Sequence, residues 1–259
     1  TNAGVKSYDG YHVKTYKTNA YQPGILPNNT IRSIAEDHQD NLWLGTRNGL
    51  VRMNKRTGKF KTFFLPDESQ RIIYTLFVSK DGTLWIGTDG GISYFNPKTE
   101  TFYTYHNKNA WLIDENGSRK KMPGYSVKAI IEDRNGDLLI GTWSAGLMRF
   151  RRGSNTFYRY PRLNALNSAY SLFLDKHNHL WVGTWGYGVV RLDNPGNVRQ
   201  PEMHQYPYST NHFDIFYKIV HDPVTKTLWA CTREGVCYLE KDTPNVEWKG
   251  YTSIGNNPL

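Results

Sequence analysis

A five-residue run, LWLGT at 42–46, recurs as LWIGT at 84–88, LLIGT at 138–142, LWVGT at 180–184 and LWACT at 228–232. Its fourth position falls at 45, 87, 141, 183 and 231, giving spacings of 42, 54, 42 and 48 residues. Ahead of each run lies an apolar stretch ending in Asp: IRSIAED, YTLFVSKD, VKAIIED, AYSLFLD and YKIVHD. After it come a short turn ending in Gly and a second apolar stretch (GLVRM, GISYF, GLMRF, GVVRL, GVCYL). An aromatic-rich segment closes each unit: FKTFF, FYTYH, FYRYP, MHQYP and VEWKGY. Each unit therefore holds four strand-like runs, and the period-two patterning with Gly and Asp turns excludes a helical repeat of similar length. Four strands at a period near 42 residues is the mark of a β-propeller blade. The expected fold is all-β, a propeller of four-stranded antiparallel blades.

The repeat places blades at 25–65, 66–106, 107–161, 162–207 and 208–259, with the end of a truncated blade at 1–24. GVKSYDG at 4–10 aligns with a third strand and HVKTY at 12–16 with a fourth, while SIGNNPL resembles the loop that introduces a first strand. The expectation is a fragment of about five and a half blades, whose cut edges could pair with another copy. Composition agrees, since 8 Trp, 18 Tyr and 11 Phe favour β structure. Cys231 and Cys237 supply neither a disulfide framework nor a metal-ligand set. No apolar run reaches the ~18 residues of a membrane-spanning helix.

Along the second strand, Leu and Trp point to opposite faces, so both faces need cover. Trp43, Trp85, Trp181 and Trp229 are expected to pack between blades, and Leu139 takes that position in the third copy. Asp37, Asp81, Asp133, Asp175 and Asp222 recur in the hairpin turn after the first strand. That repetition argues for a structural duty, because a catalytic carboxylate is needed once. There is no HExxH, GxSxG or P-loop, and no metal or cofactor is expected.

Ligand candidates lie in the turns between strands two and three, which share a face with the connections between blades. TWSAG at 142–146 and TWGYG at 184–188 are one residue longer than their counterparts and carry Trp143, Trp185 and Tyr187, where no packing pattern demands an aromatic. Aromatic faces stack on the apolar faces of sugars and on cations. Arg47, Asp89 and Arg233 hold the equivalent turns and offer charged hydrogen bonds. The 54-residue spacing locates an insertion at about 106–126, read as a loop on the same face that brings Trp111, Arg119, Lys120, Lys121 and Tyr125.

The apolar-Asp strand, the LW(I/L/V)GT run, the GLxRF stretch and the aromatic closing strand together resemble the two-component regulator propeller repeats. The resemblance runs from GVKSYDG to about Tyr251, with Leu139 for Trp and Cys231 for Gly as departures. It implies the periplasmic, ligand-sensing part of a hybrid histidine kinase anchored in the inner membrane. Such a sensor signals an oligosaccharide and controls polysaccharide-utilisation genes. The implied partners are a small oligosaccharide, anionic or neutral, a neighbouring propeller and downstream modules of the same polypeptide, and a second copy in a dimeric whole protein. No catalytic residue and no nucleic-acid contact is expected of this stretch, since the net charge of +9 is spread without a stripe. Two alternatives stay open. One is a propeller enzyme of the streptogramin-lyase type, for which His106 and His212 lie near the relevant face; the other is an interaction scaffold.

Overall fold

The computed structural model describes residues 2–18, 21, 25–106, 108–161, 167–206, 215–222, 224–233, 235–240 and 248–252. The chain forms two compact units, residues 1–109 with 123–130 and residues 110–122 with 131–259. Among the described residues the regular structure is β-strand, interrupted by two single-turn 3-10 helices at Glu68–Gln70 and Arg152–Ser154.

In the first unit, β1 (Val5–Tyr8) pairs with β2 (Val13–Tyr16) as a two-stranded ribbon. Two four-stranded sheets follow. One is β3 (Ile31–Glu36), β4 (Asn41–Thr46), β5 (Gly49–Asn54) and β6 (Phe60–Phe63). The other is β7 (Ile73–Val78), β8 (Leu84–Thr88), β9 (Gly91–Asn96) and β10 (Thr101–Thr104). In both, consecutive strands are neighbours and antiparallel, the up-and-down order of a propeller blade.

The next sheet has six strands in the order β12-β11-β16-β15-β14-β13. Its blade strands are β13 (Val127–Glu132), β14 (Leu138–Thr142), β15 (Gly146–Arg151) and β16 (Thr156–Arg159). Its two extra strands are β11 (Trp111–Ile113) and β12 (Arg119–Lys121). The second unit continues with β17 (Ala169–Leu174), β18 (Leu180–Thr184), β19 (Val189–Leu192) and β20 (Met203–Tyr206). It ends with β21 (Lys218–His221), β22 (Leu228–Cys231), β23 (Gly235–Leu239) and β24 (Lys249–Thr252). Both of these sheets repeat the blade order. The fold is an all-β propeller type, with five blade sheets described.

The insertion corrects one expectation. In place of a loop, 106–126 contains a hairpin whose β11 runs parallel to β16 and so extends the blade beyond its outermost strand. Leu112 is fully buried there, and Arg159 on β16 donates to Glu115 at 2.7 and 2.5 Å. Burial pushes the Glu115 carboxyl up, but its own backbone amide and the Arg159 guanidinium outweigh that and hold it below the usual glutamate range.

Each element of the repeated run has a physical task. The Trp of the second strand is buried in Trp43, Trp85 and Trp181, and half-buried in Trp229. Trp43 packs against Phe95 of the following sheet, with ring centroids 5.2 Å apart, in a core that also holds Ile73 and Leu76. Trp181 shares a core with Phe216 and Ile219 of the sheet after it. The indole N–H is satisfied by the turn residue six positions earlier: Trp43 donates to Asp37 at 2.7 Å and Trp181 to Asp175 at 3.2 Å. In the second blade that residue is Ser79, whose hydroxyl accepts from Trp85 at 3.3 Å. Asp81, which the sequence pattern places in this series, instead accepts from the Ser79 hydroxyl and from the Thr83 amide.

The Gly of the run is set by close approach. A Cβ on Gly45 would lie 2.6 Å from Ile73 Cγ2, one on Gly87 2.6 Å from Val127 Cγ1, and one on Gly141 2.7 Å from the Ala169 carbonyl. These partners are the start of the next blade's first strand; at Gly45 and Gly87 the blade's own Ser33 and Thr75 side chains come nearer still. The Thr closes the following turn. Thr46, Thr88, Thr142, Thr184 and Thr232 each donate to the carbonyl of the Gly that ends it, at 2.9, 3.1, 2.7, 2.8 and 3.2 Å.

The turn aspartates make the fold acid-sensitive. At Asp37 and Asp175 burial pushes the carboxyl up, yet the amides and side chains that donate to it prevail and hold it below the usual value of 3.8. Asp222 is held low by the Thr225 hydroxyl and the Val224 amide. A carboxyl lowered in the folded state stabilises fully above its unfolded value and loses that stabilisation as the pH falls through the folded one. The urea midpoint is therefore expected to be flat between about pH 7 and 5 and to drop below about pH 4. A midpoint that rises on acidification would contradict this.

Candidate functional site

Two positions per blade lie at the turn end of its own sheet. One is the residue after the Thr of the repeated run: Arg47, Asp89, Trp143, Trp185 and Arg233. The other lies at the head of the first strand: Arg32, Tyr74, Lys128, Tyr170 and, one residue ahead of β21, Tyr217. Arg32, Tyr74 and Tyr170 sit at the register shifts of β3, β7 and β17, where one extra residue turns its side chain out of the ladder. The turn residues are visible as candidates in the sequence. The bulge residues are not, because an alternating pattern gives no sign of the residue that breaks it.

In the second unit these positions form an aromatic cluster. Trp143 and Trp185 meet edge to face with centroids 4.4 Å apart, and Tyr170 lies 5.5 Å from Trp143 and 5.7 Å from Trp185. Tyr217 extends the group, 6.3 Å from Tyr170. Its rings remain open to solvent, with Trp185 36% and Tyr217 48% exposed. The extra turn residue permits this arrangement: Ser144 adopts a left-handed φ of 66°, and the Trp185 amide donates to Ser168 at 3.2 Å. Tyr187 is exposed beside Trp185, its amide donating to Thr184 Oγ1. Arg233 is exposed in the equivalent turn of the last blade.

In the first unit the same positions are polar. The Tyr74 hydroxyl donates to Asp89 at 3.2 Å, and the Ser126 hydroxyl donates to the other Asp89 oxygen at 2.7 Å. The Arg32 guanidinium lies 4.9 Å from the Tyr74 ring centroid and the Lys128 ammonium 3.1 Å from it. Burial first, then the Asp89 charge, pushes the Tyr74 phenol up. Arg47 is exposed and close enough for its charge to act on that phenol.

The remaining candidates fall elsewhere. Trp111 and Arg119 are on the outer-edge hairpin, where Arg119 and Lys121 lie 4.2 and 3.9 Å from the Trp111 ring centroid. Lys120 is paired with Asp114 at 2.9 Å. Tyr125 is half-buried on the segment leading into β13. His106 Nδ1 accepts from the Lys108 amide at 3.1 Å, so this ring serves its own turn; His212 lies outside the described residues. Asp193, Glu202 and His204 bring their donor atoms within 4.8 Å of one another, but Asp193 is already held by Arg191 at 2.6 Å.

The two component regulator propeller model matches residues 25–48, 67–90, 121–144 and 165–186. No curated protein matches the sequence. Among solved structures, one described as the extracellular domain of the hybrid two component system BT3049 of B. thetaiotaomicron is 25% identical, with a TM-score of 0.69. The match covers 92% of this chain and 30% of that one. The corresponding domain of BT4673 from the same organism is 21% identical over 100% of this chain and 32% of its own, with a TM-score of 0.74. A catalytically inactive virginiamycin B lyase from Staphylococcus aureus with quinupristin is 15% identical over 88% of this chain and 71% of its own, with a TM-score of 0.64. The last two likenesses show the fold alone. The chain spans about a third of the length of the two hybrid-system domains. Five repeats built on one hydrogen-bonding plan, four of them matched by that model, show that the chain carries two-component regulator propeller repeats.

Proposed function

We propose that the chain is a periplasmic input propeller of a hybrid two-component sensor and that it binds an oligosaccharide on the Trp143, Tyr170, Trp185 and Tyr217 surface. The observation that carries this reading is the open aromatic cluster, placed where the repeat needs no aromatic. Two indoles and two phenols offer apolar faces bordered by hydroxyls, the chemistry that suits the two-sided character of a sugar ring. In the whole protein, anchored in the inner membrane, binding acts by favouring one arrangement of this propeller, its neighbouring propeller and the downstream modules over another. The output is control of polysaccharide-utilisation genes, with a dimer as the signalling species. The chain itself is assigned no catalysis.

Calorimetric titration with a panel of neutral oligosaccharides tests the site. Trp143→Ala and Trp185→Ala are each expected to weaken binding by about 2 kcal/mol, roughly 30-fold, as for an aromatic anchor at a contact centre. Near-ultraviolet circular dichroism of each variant checks that the fold is kept. Equal affinity in both variants and the unaltered protein would remove the cluster from the binding surface.

A further inference from the structure

The polar cluster of the first unit contains a cation without a full partner. The Lys128 side chain is 10% exposed. An ammonium that keeps only a small share of its contact with water gains from a close acceptor that offsets the lost hydration. Its ion-pair partner, Asp89, is 3.9 Å away, outside hydrogen-bond range. Both Asp89 oxygens are already engaged by the Ser126 and Tyr74 hydroxyls. Among the described residues no acceptor lies within hydrogen-bonding distance of Lys128 Nζ. Arg32 shares the Tyr74 ring with it, and Arg47 adds a third positive charge nearby. Three cations thus gather about Tyr74, beside one carboxylate whose two oxygens are both engaged.

We propose that Lys128, with Arg32, forms an anion subsite that takes the carboxylate of an acidic sugar. The proposal rests on the reading of the chain as an oligosaccharide binder and concerns a site within the first unit alone, to which it gives a chemical class. A sugar carboxylate supplies the acceptor that Lys128 lacks and a fork-shaped partner for the Arg32 guanidinium. Protonation of Lys128 agrees with this geometry. Burial pulls its ammonium down to about 8, with Asp89 acting upward and Arg32 downward. A bound carboxylate reverses that shift. The groups facing Lys128 are Arg32 of β3, Tyr74 of β7 and Asp89 in the turn after β8, the last held by Ser126 ahead of β13. Of these, Tyr74 is pushed up and away from this range. Affinity for the acid is therefore expected to fall as the pH rises through about 8.

The test is calorimetry of the unaltered chain with a trigalacturonate, its methyl ester and inorganic sulfate. The acid is expected to bind at least tenfold more tightly than the ester. At pH 8, titrations in buffers of different ionisation enthalpy should show uptake approaching roughly half a proton per site. Lys128→Met should abolish both the preference and the uptake, and Lys128→Arg should retain the preference. Asp89→Asn removes the internal competitor and should tighten acid binding several-fold, a gain that misfolding cannot produce. Equal binding of acid and ester would overturn the subsite while leaving the oligosaccharide reading intact. Binding of neither would also overturn it, and the neutral panel then decides the broader reading separately. Sulfate binding as tightly as the acid would overturn the assignment to a sugar carboxylate.

Discussion

Replacing Asp133 with Ala is expected to destabilise the second unit by roughly 3–5 kcal/mol, read as a lower midpoint in equilibrium urea unfolding. The cause lies in the departure at Leu139. In the other blades the residue opposite the Trp on the third strand covers that ring: Arg52 lies 5.8 Å and Arg191 5.6 Å from the indole centroid, and Tyr94 packs 5.5 Å from Trp85. With Leu139 there is no ring to cover. Arg149, its cross-strand partner, instead turns toward the hairpin and donates to Asp133 at 2.6 Å, to Asp137 at 2.9 and 3.0 Å and to the Pro195 carbonyl at 3.1 Å. Arg149 is 3% exposed, so losing Asp133 strips a buried charge of one of its two carboxylate partners. Asp133 also accepts from the Asn135 and Asp137 amides. Asp133→Asn keeps an acceptor for those amides and should cost less than Ala, isolating the charge contribution. Arg149→Met removes the charge altogether and, combined with Asp133→Asn, should recover most of the loss. Additive losses in that double mutant would show that the pair is not coupled.

The second large effect concerns a single methyl group. Gly183→Ala would place a Cβ 2.8 Å from the Phe216 carbonyl oxygen and against the Ser171 hydroxyl, which itself donates to that carbonyl at 2.9 Å. Backbone cannot yield as a flexible side chain can, so Phe216 must shift and take with it the core shared by Trp181, Ile219 and Leu228. A cost of about 3 kcal/mol is expected, at the upper end for overpacking. Gly153→Ala is the control, since nothing lies within 4 Å of its Cβ position. It should leave the urea midpoint unchanged within about 0.5 kcal/mol. Equal midpoints for the two variants would contradict the close-approach account of the repeated Gly.

Much of the architecture was legible because repetition averages out local ambiguity. One LWLGT could belong to many folds, whereas five copies with matching flanks specify a four-stranded unit and its turns. Trp143 and Trp185 stood out for the same reason, as aromatics at positions that the other copies fill with Arg or Asp. For the 106–126 insertion the spacing shows extra length and says nothing of where that length packs. Its placement depends on Leu112 finding a buried site beside β16 and on Arg159 finding Glu115, contacts made 44 residues apart.

The sequence by itself determined the four-strand order within each blade and marked the repeated Trp as packing residues, since five copies and a period of two report both directly. Only the tertiary structure decided which side chains share the turn end. Bulges at Arg32, Tyr74 and Tyr170 swing those residues out of the ladder, joining Tyr170 to two indoles and Tyr74 to two cations. A one-residue register shift leaves no mark on a hydrophobic pattern, yet it changes which neighbours a side chain meets.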